Sequence, residues 1–306
     1  MIDYKRVAEE LRAQFPDLDI REQEPMSRHT TFRVGGKVSL FFRPTTVEEI
    51  TGICAVLKAH GIHPFIMGRG SNLLVGDDDI CGAVIQLAEN FSACRREGET
   101  GLYAQAGVTL VRLAQEAQSC GLTGLEFAGG IPGALGGGVS MNAGAYGGEM
   151  KDVVVRVDYL DDMLHLRTAS AEECAFRYRG SAFSDTELVI LGAHLELQPS
   201  DTETVKARMD ELKAKRVKSQ PLEYPSAGST FKRPVGGYAA AMIDEAGLKG
   251  YTIGGAQVSE KHAGFVINRG GATCTDVLML MEHIRNTVYD RTGIMLEPEV
   301  KIIRSL

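Results

Sequence analysis

The chain of 306 residues contains no tryptophan, and aromatic residues make up only 7% of it. A surface that stacks nucleobases on aromatic rings is therefore not expected. Basic residues are in deficit: 33 lysines and arginines face 40 acids, for a net charge of -7. A broad basic face for nucleic acid is excluded on that ground. No apolar run approaches the roughly 18 residues of a membrane span. Met1-Ile2-Asp3-Tyr4-Lys5-Arg6 has no apolar stretch, so no secretion signal is expected. The six cysteines are Cys54, Cys81, Cys94, Cys120, Cys174 and Cys274, with no C-x-x-C pair. Their scatter argues against a zinc site or a disulfide framework and points to a reducing cytoplasm. The seven histidines form no H-E-x-x-H pattern, so no metal site is expected.

What the chain has in quantity is glycine, concentrated in two places. One is Gly68-Arg69-Gly70-Ser71-Asn72, after the apolar run Pro64-Phe65-Ile66-Met67. The other runs from Gly121 to Gly148 and holds 11 glycines in 28 residues. Glycine lets backbone amides turn inward and approach a ligand, and successive inward amides form a nest for phosphate oxygens. Two such segments suggest a diphosphate cofactor lying across a domain. A side chain at Gly70 is expected to obstruct that ligand more than the fold. Gly68-x-Gly70 lacks the third glycine of G-x-G-x-x-G, so the Rossmann reading fails, and no Walker A motif is present.

Periodicity divides the chain further. Thr46 and Thr109 each precede a helical apolar pattern, one ending at Gly61 and the other at Gly121. Short apolar runs at 64–67, 73–75, 83–87, 102–106, 153–160 and 188–197 read as strands. The stretch 202–218 is a charged helix, and Pro221 and Pro225 mark a break after it. Helices at 239–246 and 275–292, with strands at 264–267 and 300–303, give the C-terminal part a mixed α/β character. The expected divisions are 1–88 with an N-terminal helix, 89–218, and 219–306.

Six motifs then occur in order. They are Thr30-Thr31-Phe32 with Gly68–Asn72, Ile131-Pro132-Gly133, Asn142-Ala143-Gly144-Ala145-Tyr146-Gly147, Tyr178-Arg179-Gly180-Ser181-Ala182-Phe183, Ala227-Gly228-Ser229-Thr230-Phe231-Lys232, and Leu296-Glu297-Pro298-Glu299-Val300. Together they resemble the UDP-N-acetylenolpyruvoylglucosamine reductase family, over essentially the whole chain from about Arg28. The resemblance implies an α+β chain. Two subdomains would form an FAD-binding fold of the vanillyl-alcohol-oxidase type, with a C-terminal α/β substrate-binding domain after them. FAD would be bound non-covalently by Thr31, Met67, Gly68, Arg69, Gly70, Ser71, Asn72 and Leu73. It would also meet Gly129, Gly130, Ile131, Pro132, Gly133, Gly137, Ser140, Asn142, Ala143, Gly144, Ala145 and Gly147.

The reaction implied is reduction of an enolpyruvyl ether of a UDP-sugar, with NADPH as hydride donor. Hydride would reach C3 through flavin N5, and C2 would then take a proton. By the same resemblance Ser229 gives that proton, and Arg179 grips the substrate carboxylate with its planar fork. Glu299 either donates a hydrogen bond in protonated form or orients the proton donor. Strand alternation alone does not separate Glu299 from Glu297. Tyr146, Lys218 and Lys232 are expected at the UDP-sugar. Lys218 ends a stretch in which six cations outnumber two acids. The 179–229 interval is too short for an inserted tyrosine loop, so the chain resembles the loop-less subclass. Arg233 replaces that other subclass's asparagine, and no uridine role is carried to it. No obligate protein partner is expected.

Overall fold

The computed structural model describes residues 2–306. They form two compact units by contact. One comprises the residues up to Glu22, Leu40–Arg69 and Gly82–Lys215. The other comprises Gln23–Ser39, Gly70–Cys81 and Arg216–Leu306. The seven helices among the described residues are α1 (Tyr4–Gln14), α2 (Val47–Ala59), α3 (Leu110–Ser119), α4 (Leu135–Ser140), α5 (Thr202–Ser219), α6 (Ala239–Glu245) and α7 (Cys274–Thr292). None is long and apolar enough to cross a membrane.

In the first unit a five-stranded antiparallel sheet runs in the order Leu166–Ser170, Val154–Leu160, Val189–Glu196, Gly101–Gln105, Cys94–Glu97. Leu110, Leu113, Ala114 and Ala117 of α3 join Val157, Leu191, Ala193 and Leu195 in one buried core. Thr109 caps α3 by accepting from Arg112 N at 3.1 Å. Thr46 caps α2 in the same way, through Glu49 N at 3.2 Å. The Glu49 carboxylate reaches back one residue further and accepts from Thr45 N (2.5 Å) and Thr45 Oγ1 (3.0 Å). Gly52 lets α2 receive the Phe15 ring at the end of α1, because a Cβ there would lie 2.3 Å from it.

A polar row crosses the exposed face of that sheet. His194 Nδ1 lies 2.7 Å from Glu97 Oε2, and its Nε2 lies 3.1 Å from Asp158 Oδ2. The Tyr103 ring packs against His194, and Arg95 stacks on Tyr103 at 4.0 Å. Gly192 makes room for Tyr103, whose hydroxyl would be 2.7 Å from a Cβ at that position. The hydrogen bond from His194 holds the Glu97 carboxyl below its ordinary 4.5, with Arg95 assisting. A carboxyl with a depressed folded-state pKa contributes stability above its unfolded value and loses it as pH falls through the folded one. Stability should therefore decline below about pH 4.5 partly through this row. Denaturant unfolding of Glu97→Gln from pH 6 to 3 should show a flatter acid limb than wild type. An identical slope would remove Glu97 from the account.

The second unit holds a three-stranded antiparallel sheet, Thr252–Ile253, Ala256–Val258, Val266–Asn268, against which α7 packs. Val277, Leu280, Met281, Ile284 and Val288 give α7 its buried stripe, each worth roughly 1.5–3 kcal/mol when fully buried. A box between Thr273 and Asp276 starts the helix, and left-handed Gly293 (φ 72°) ends it. Lys301–Ile303 pairs in parallel with Leu73–Val75. The strand just after the first glycine loop is thereby fixed beside the chain's last strand.

Candidate functional site

The candidate residues fall into two groups, one in each unit. In the second unit the organising residue is Thr230, which is 2% exposed. Its N–H donates to Gly264 O (2.9 Å), its hydroxyl accepts from Val266 N (3.0 Å), and its carbonyl accepts from Glu299 N (2.8 Å). Phe231 bridges Pro298, and Lys232 N donates to Glu297 O at 2.8 Å. The segments 230–232 and 297–299 thus run side by side, with Ser229 just outside the pairing. Ser229 itself is exposed, on the turn after left-handed Gly228 (φ 77°). Alternation explains this: the neighbour that faces the core is Thr230.

The same unit carries the end of the first glycine loop. Asn72 Nδ2 donates to Glu299 O at 3.0 Å, and Lys301 N donates to Asn72 O at 2.9 Å. Thr31 N donates to Gly70 O (3.2 Å), and its hydroxyl donates to Ser226 O (2.7 Å). Thr31 and Asn72 therefore hold the serine segment and the glutamate segment to one loop. The two glutamates differ in their surroundings here. Glu297 is largely exposed and lies 3.3 Å from Lys232 Nζ, whereas Glu299 is half-buried beside Ser229's segment. Lys232 is thus committed at least in part to Glu297, and Lys218 is exposed near the end of α5.

In the first unit the Arg179 side chain is set by a tight turn. Arg177 N donates to Gly180 O (2.9 Å) and Gly180 N to Arg177 O (3.2 Å), with Tyr178 and Arg179 between them. Arg179 has φ 53°, the left-handed region that this turn position demands and that glycine or asparagine ordinarily fills. Such backbone costs on the order of 1–3 kcal/mol and persists where its surroundings over-determine it. The surroundings are specific. Asn142, 1% exposed, donates from Nδ2 to Arg177 O (3.2 Å) and Glu149 Oε2 (2.6 Å), and its Oδ1 accepts from Lys151 N (2.9 Å). The Ser181 and Ser184 hydroxyls both donate to Ser140 O, at 2.9 and 2.6 Å. The Asn142 side chain is thus spent on the protein, and it joins the second glycine segment to the arginine turn. Asn142 and Tyr146 also have positive φ, 44° and 54°. Tyr146 lines a cavity of about 280 Å³ with Phe127, Arg208 and Leu212.

The glycines separate by what a β-carbon would meet. At Gly70 (φ 62°) it would lie 2.1 Å from His29 O. That glycine is required by the fold first, contrary to the expectation that a side chain there obstructs mainly a ligand. Gly136 faces Ala106 Cβ at 3.0 Å, Gly138 faces Leu110 at 3.3 Å, Gly144 faces Glu149 Cβ at 2.8 Å, and Gly148 faces the Phe127 ring at 2.6 Å. These four serve close packing. The first two amides of α4, Leu135 N and Gly136 N, are already paired with Val108 O and Ala106 O at 2.8 Å. Gly137 and Gly147 differ, since nothing lies within 4 Å of a β-carbon at either. A cradle kept open at glycine in the middle of a helix fits a flat ligand that approaches the backbone. Alanine at 137 should stabilise the apoprotein by about 0.5–1 kcal/mol and weaken FAD binding. Denaturant melts and flavin fluorescence titration read the two effects separately, and unchanged FAD affinity would remove Gly137 from the cofactor site.

Of the remaining candidates, Met67 is buried and its carbonyl accepts from Leu87 N at 2.8 Å. Gly68 O accepts from Gln86 Nε2 at 3.3 Å, and Arg69 is ion-paired with Glu89. Ser71 is half-buried, Leu73 is buried, and Gly129, Gly130, Ile131, Gly133, Ala143 and Ala145 are half-buried, with Pro132 exposed. Thr230, Ser181, Ser184 and Glu149 were not singled out from sequence. Each acts by holding another segment, and a residue's distant partner leaves no local pattern.

Comparison with known proteins places these residues in context. Residues 220–303 match the family model of the UDP-N-acetylenolpyruvoylglucosamine reductase C-terminal domain, and residues 38–170 match that of an FAD binding domain. A UDP-N-acetylenolpyruvoylglucosamine reductase of Clostridioides difficile is 46% identical over 93% of this chain and 93% of its own length. One from Caldanaerobacter subterraneus is 48% identical over 92% of each chain. The crystal structure of the reductase from Thermus caldophilus superposes with a TM-score of 0.79 at 34% identity, covering 94% of this chain and 98% of that one. An alkyldihydroxyacetonephosphate synthase at 16% identity, covering 64% of this chain and 41% of that one with a TM-score of 0.50, shares the fold alone. That fold is the expected FAD-binding fold of the vanillyl-alcohol-oxidase type.

Proposed function

Because the chain belongs to the UDP-N-acetylenolpyruvoylglucosamine reductase family, we propose that it reduces the enolpyruvyl ether of UDP-N-acetylglucosamine to UDP-N-acetylmuramate, a peptidoglycan precursor. NADPH is the hydride donor. FAD, held non-covalently, supplies a two-electron carrier between NADPH and the carbon that is reduced. The residues that would hold it are Thr31, Met67 to Leu73, Gly129 to Gly133, Gly137, Ser140, Asn142 to Ala145, and Gly147. Open space at Gly137 and Gly147 supports that assignment.

The chain's own chemistry is charge stabilisation and one proton. Arg179 grips the substrate carboxylate and stabilises the enolate that develops next to it. Ser229 gives its hydroxyl proton to C2, a step helped by the high basicity of an enolate carbon. Glu299 acts on the same proton, either as a protonated donor or by orienting the Ser229 hydroxyl. Tyr146, Lys218 and Lys232 serve the UDP-sugar. The observation that supports this reading is the pairing of 230–232 with 297–299, which puts the segment carrying exposed Ser229 next to the segment carrying half-buried Glu299. We assign 1–88 and 89–218 to the FAD-binding subdomains and 219–306 to the substrate domain; the matched ranges 38–170 and 220–303 support the cut near 219, whereas Gln23–Ser39 and Gly70–Cys81 pack with the C-terminal unit and depart from the cut at 88. All six cysteines are free, which supports a cytoplasmic location.

The test is a colour change. Purified protein should be yellow, bleach with NADPH, and regain its colour with UDP-N-acetylenolpyruvoylglucosamine. A colourless protein would end the flavoenzyme reading. A yellow one reoxidised only by some other small acid would end the substrate assignment.

A further inference from the structure

In the second unit a cavity of about 380 Å³ is lined by Arg33, Tyr224, Pro225, Arg269, Gly270 and Gly271. Its two guanidinium groups have no role in the chemistry above. Among the described residues neither is paired with a carboxylate. Arg33 makes only a backbone bond, to Thr30 O, and the Arg269 side chain donates to the Tyr224 hydroxyl at 2.7 Å and stacks on its ring at 5.0 Å. Two uncompensated cations facing one cavity are unexpected in a chain with seven more acids than bases.

The frame around them is rigid. Asn268 is 7% exposed; its Nδ2 donates to Phe32 O, and its Oδ1 accepts from Gly270 N and Ala272 N. That one side chain fixes the segments carrying both arginines, 32–33 and 269–272. Arg33 itself is left-handed (φ 57°), and Gly270 (φ 125°) and Gly271 (φ 68°) leave the loop free of side chains. Planar, permanently charged guanidiniums favour bidentate contact with phosphate oxygens. The volume falls in the range of about 300–1,000 Å³ typical of small-molecule sites, more than a bare ion fills.

We propose that this cavity is a phosphate-ester site, with Arg33 and Arg269 as its anion ligands. Pro225 lines it and Ser229 follows four residues later, so its wall lies within about 14 Å of Ser229 along the chain. A nucleotide can span that distance. On the functional reading above, two ligands bring a phosphate to this region: the 2′-phosphate of NADPH, or the diphosphate of the UDP-sugar.

The experiment uses the flavin-loaded full chain and first titrates inorganic pyrophosphate calorimetrically, which requires no turnover. Wild type should bind it with strong salt dependence, and Arg33→Ala/Arg269→Ala should bind it at least about tenfold more weakly, as expected for loss of charge-assisted bonds. Arg33→Glu is the second variant, expected to abolish binding while leaving the melting temperature in place. The KM values then name the source. A rise for NADPH but not NADH assigns the 2′-phosphate, and a rise for the UDP-sugar with NADPH unchanged assigns the diphosphate. Pyrophosphate binding that is absent in wild type or equal in the variants overturns the proposal. A protein that binds pyrophosphate through these arginines but does not turn over UDP-N-acetylenolpyruvoylglucosamine would instead overturn the functional reading alone.

Discussion

Alanine at Ser229 should leave bleaching by NADPH near its wild-type rate and slow the return of colour with the enolpyruvyl substrate by about 10²–10⁴-fold. The first half needs no proton from Ser229. The second needs one at C2, and the hydroxyl proposed to give it is exposed on a turn whose neighbours are fixed. Thr230 is tied at its N–H, its hydroxyl and its carbonyl, so removing the Ser229 hydroxyl leaves the segment in place. Cysteine should restore part of the rate, because a thiol can donate. Stopped-flow absorbance separates the halves. Equal slowing of both would make Ser229 structural, and slowing of neither would assign the proton to another group. The role proposed for Glu299 adds a second check. Glu299→Gln keeps the backbone bond to Thr230 O and should slow the same half only.

Local physics made much of the fold legible before the structure. Thr46 and Thr109 are capping signals that act within one turn, and each starts a helix as read. Strands at 65–67, 73–75 and 101–105 followed from short apolar runs. The strand Asp19–Pro25 was not legible, because DIREQEP carries no alternation and is held by pairing with Lys37–Arg43. Helix α4 was not legible either. Leu135-Gly136-Gly137-Gly138 has poor helix propensity, and it is helical because Val108 O and Ala106 O receive its first amides and Gly136 seats on Ala106.

The site shows the same division. Its candidate residues were proposed from ordered motifs, but their placement depends on partners distant in sequence. Thr31 reaches Ser226, Asn72 reaches Glu299, and Asn142 reaches Arg177. The pattern of glycines did not reveal that Gly70 is demanded by His29 while Gly137 faces open space. The alternation rule left Glu297 and Glu299 equivalent. The segment is an irregular bridge anchored at Thr230, and its geometry exposes one and half-buries the other.

Arg179 offers the sharpest separation of stability from activity. Arg179→Gly should make the protein more stable, since glycine adopts φ 53° without the strain an arginine bears there. The same variant should lose about 10²–10³ in turnover, the usual effect of removing a donor that stabilises a developing oxyanion. Arg179→Lys keeps the charge and the strained backbone but loses the fork, so its stability should match wild type while turnover falls nearly as far. The hairpin bonds between Arg177 and Gly180 and the Asn142 contact persist in both variants, so a lost turn does not explain the result. Added guanidinium should restore part of the turnover of Arg179→Gly and none of that of Arg179→Lys, where the lysine head occupies the space. Chemical denaturation gives the stability order and steady-state assays the rates. Near-wild-type turnover in Arg179→Lys would remove this arginine from the reacting carboxylate. A destabilised Arg179→Gly would show that the side chain, rather than the backbone geometry alone, holds the turn.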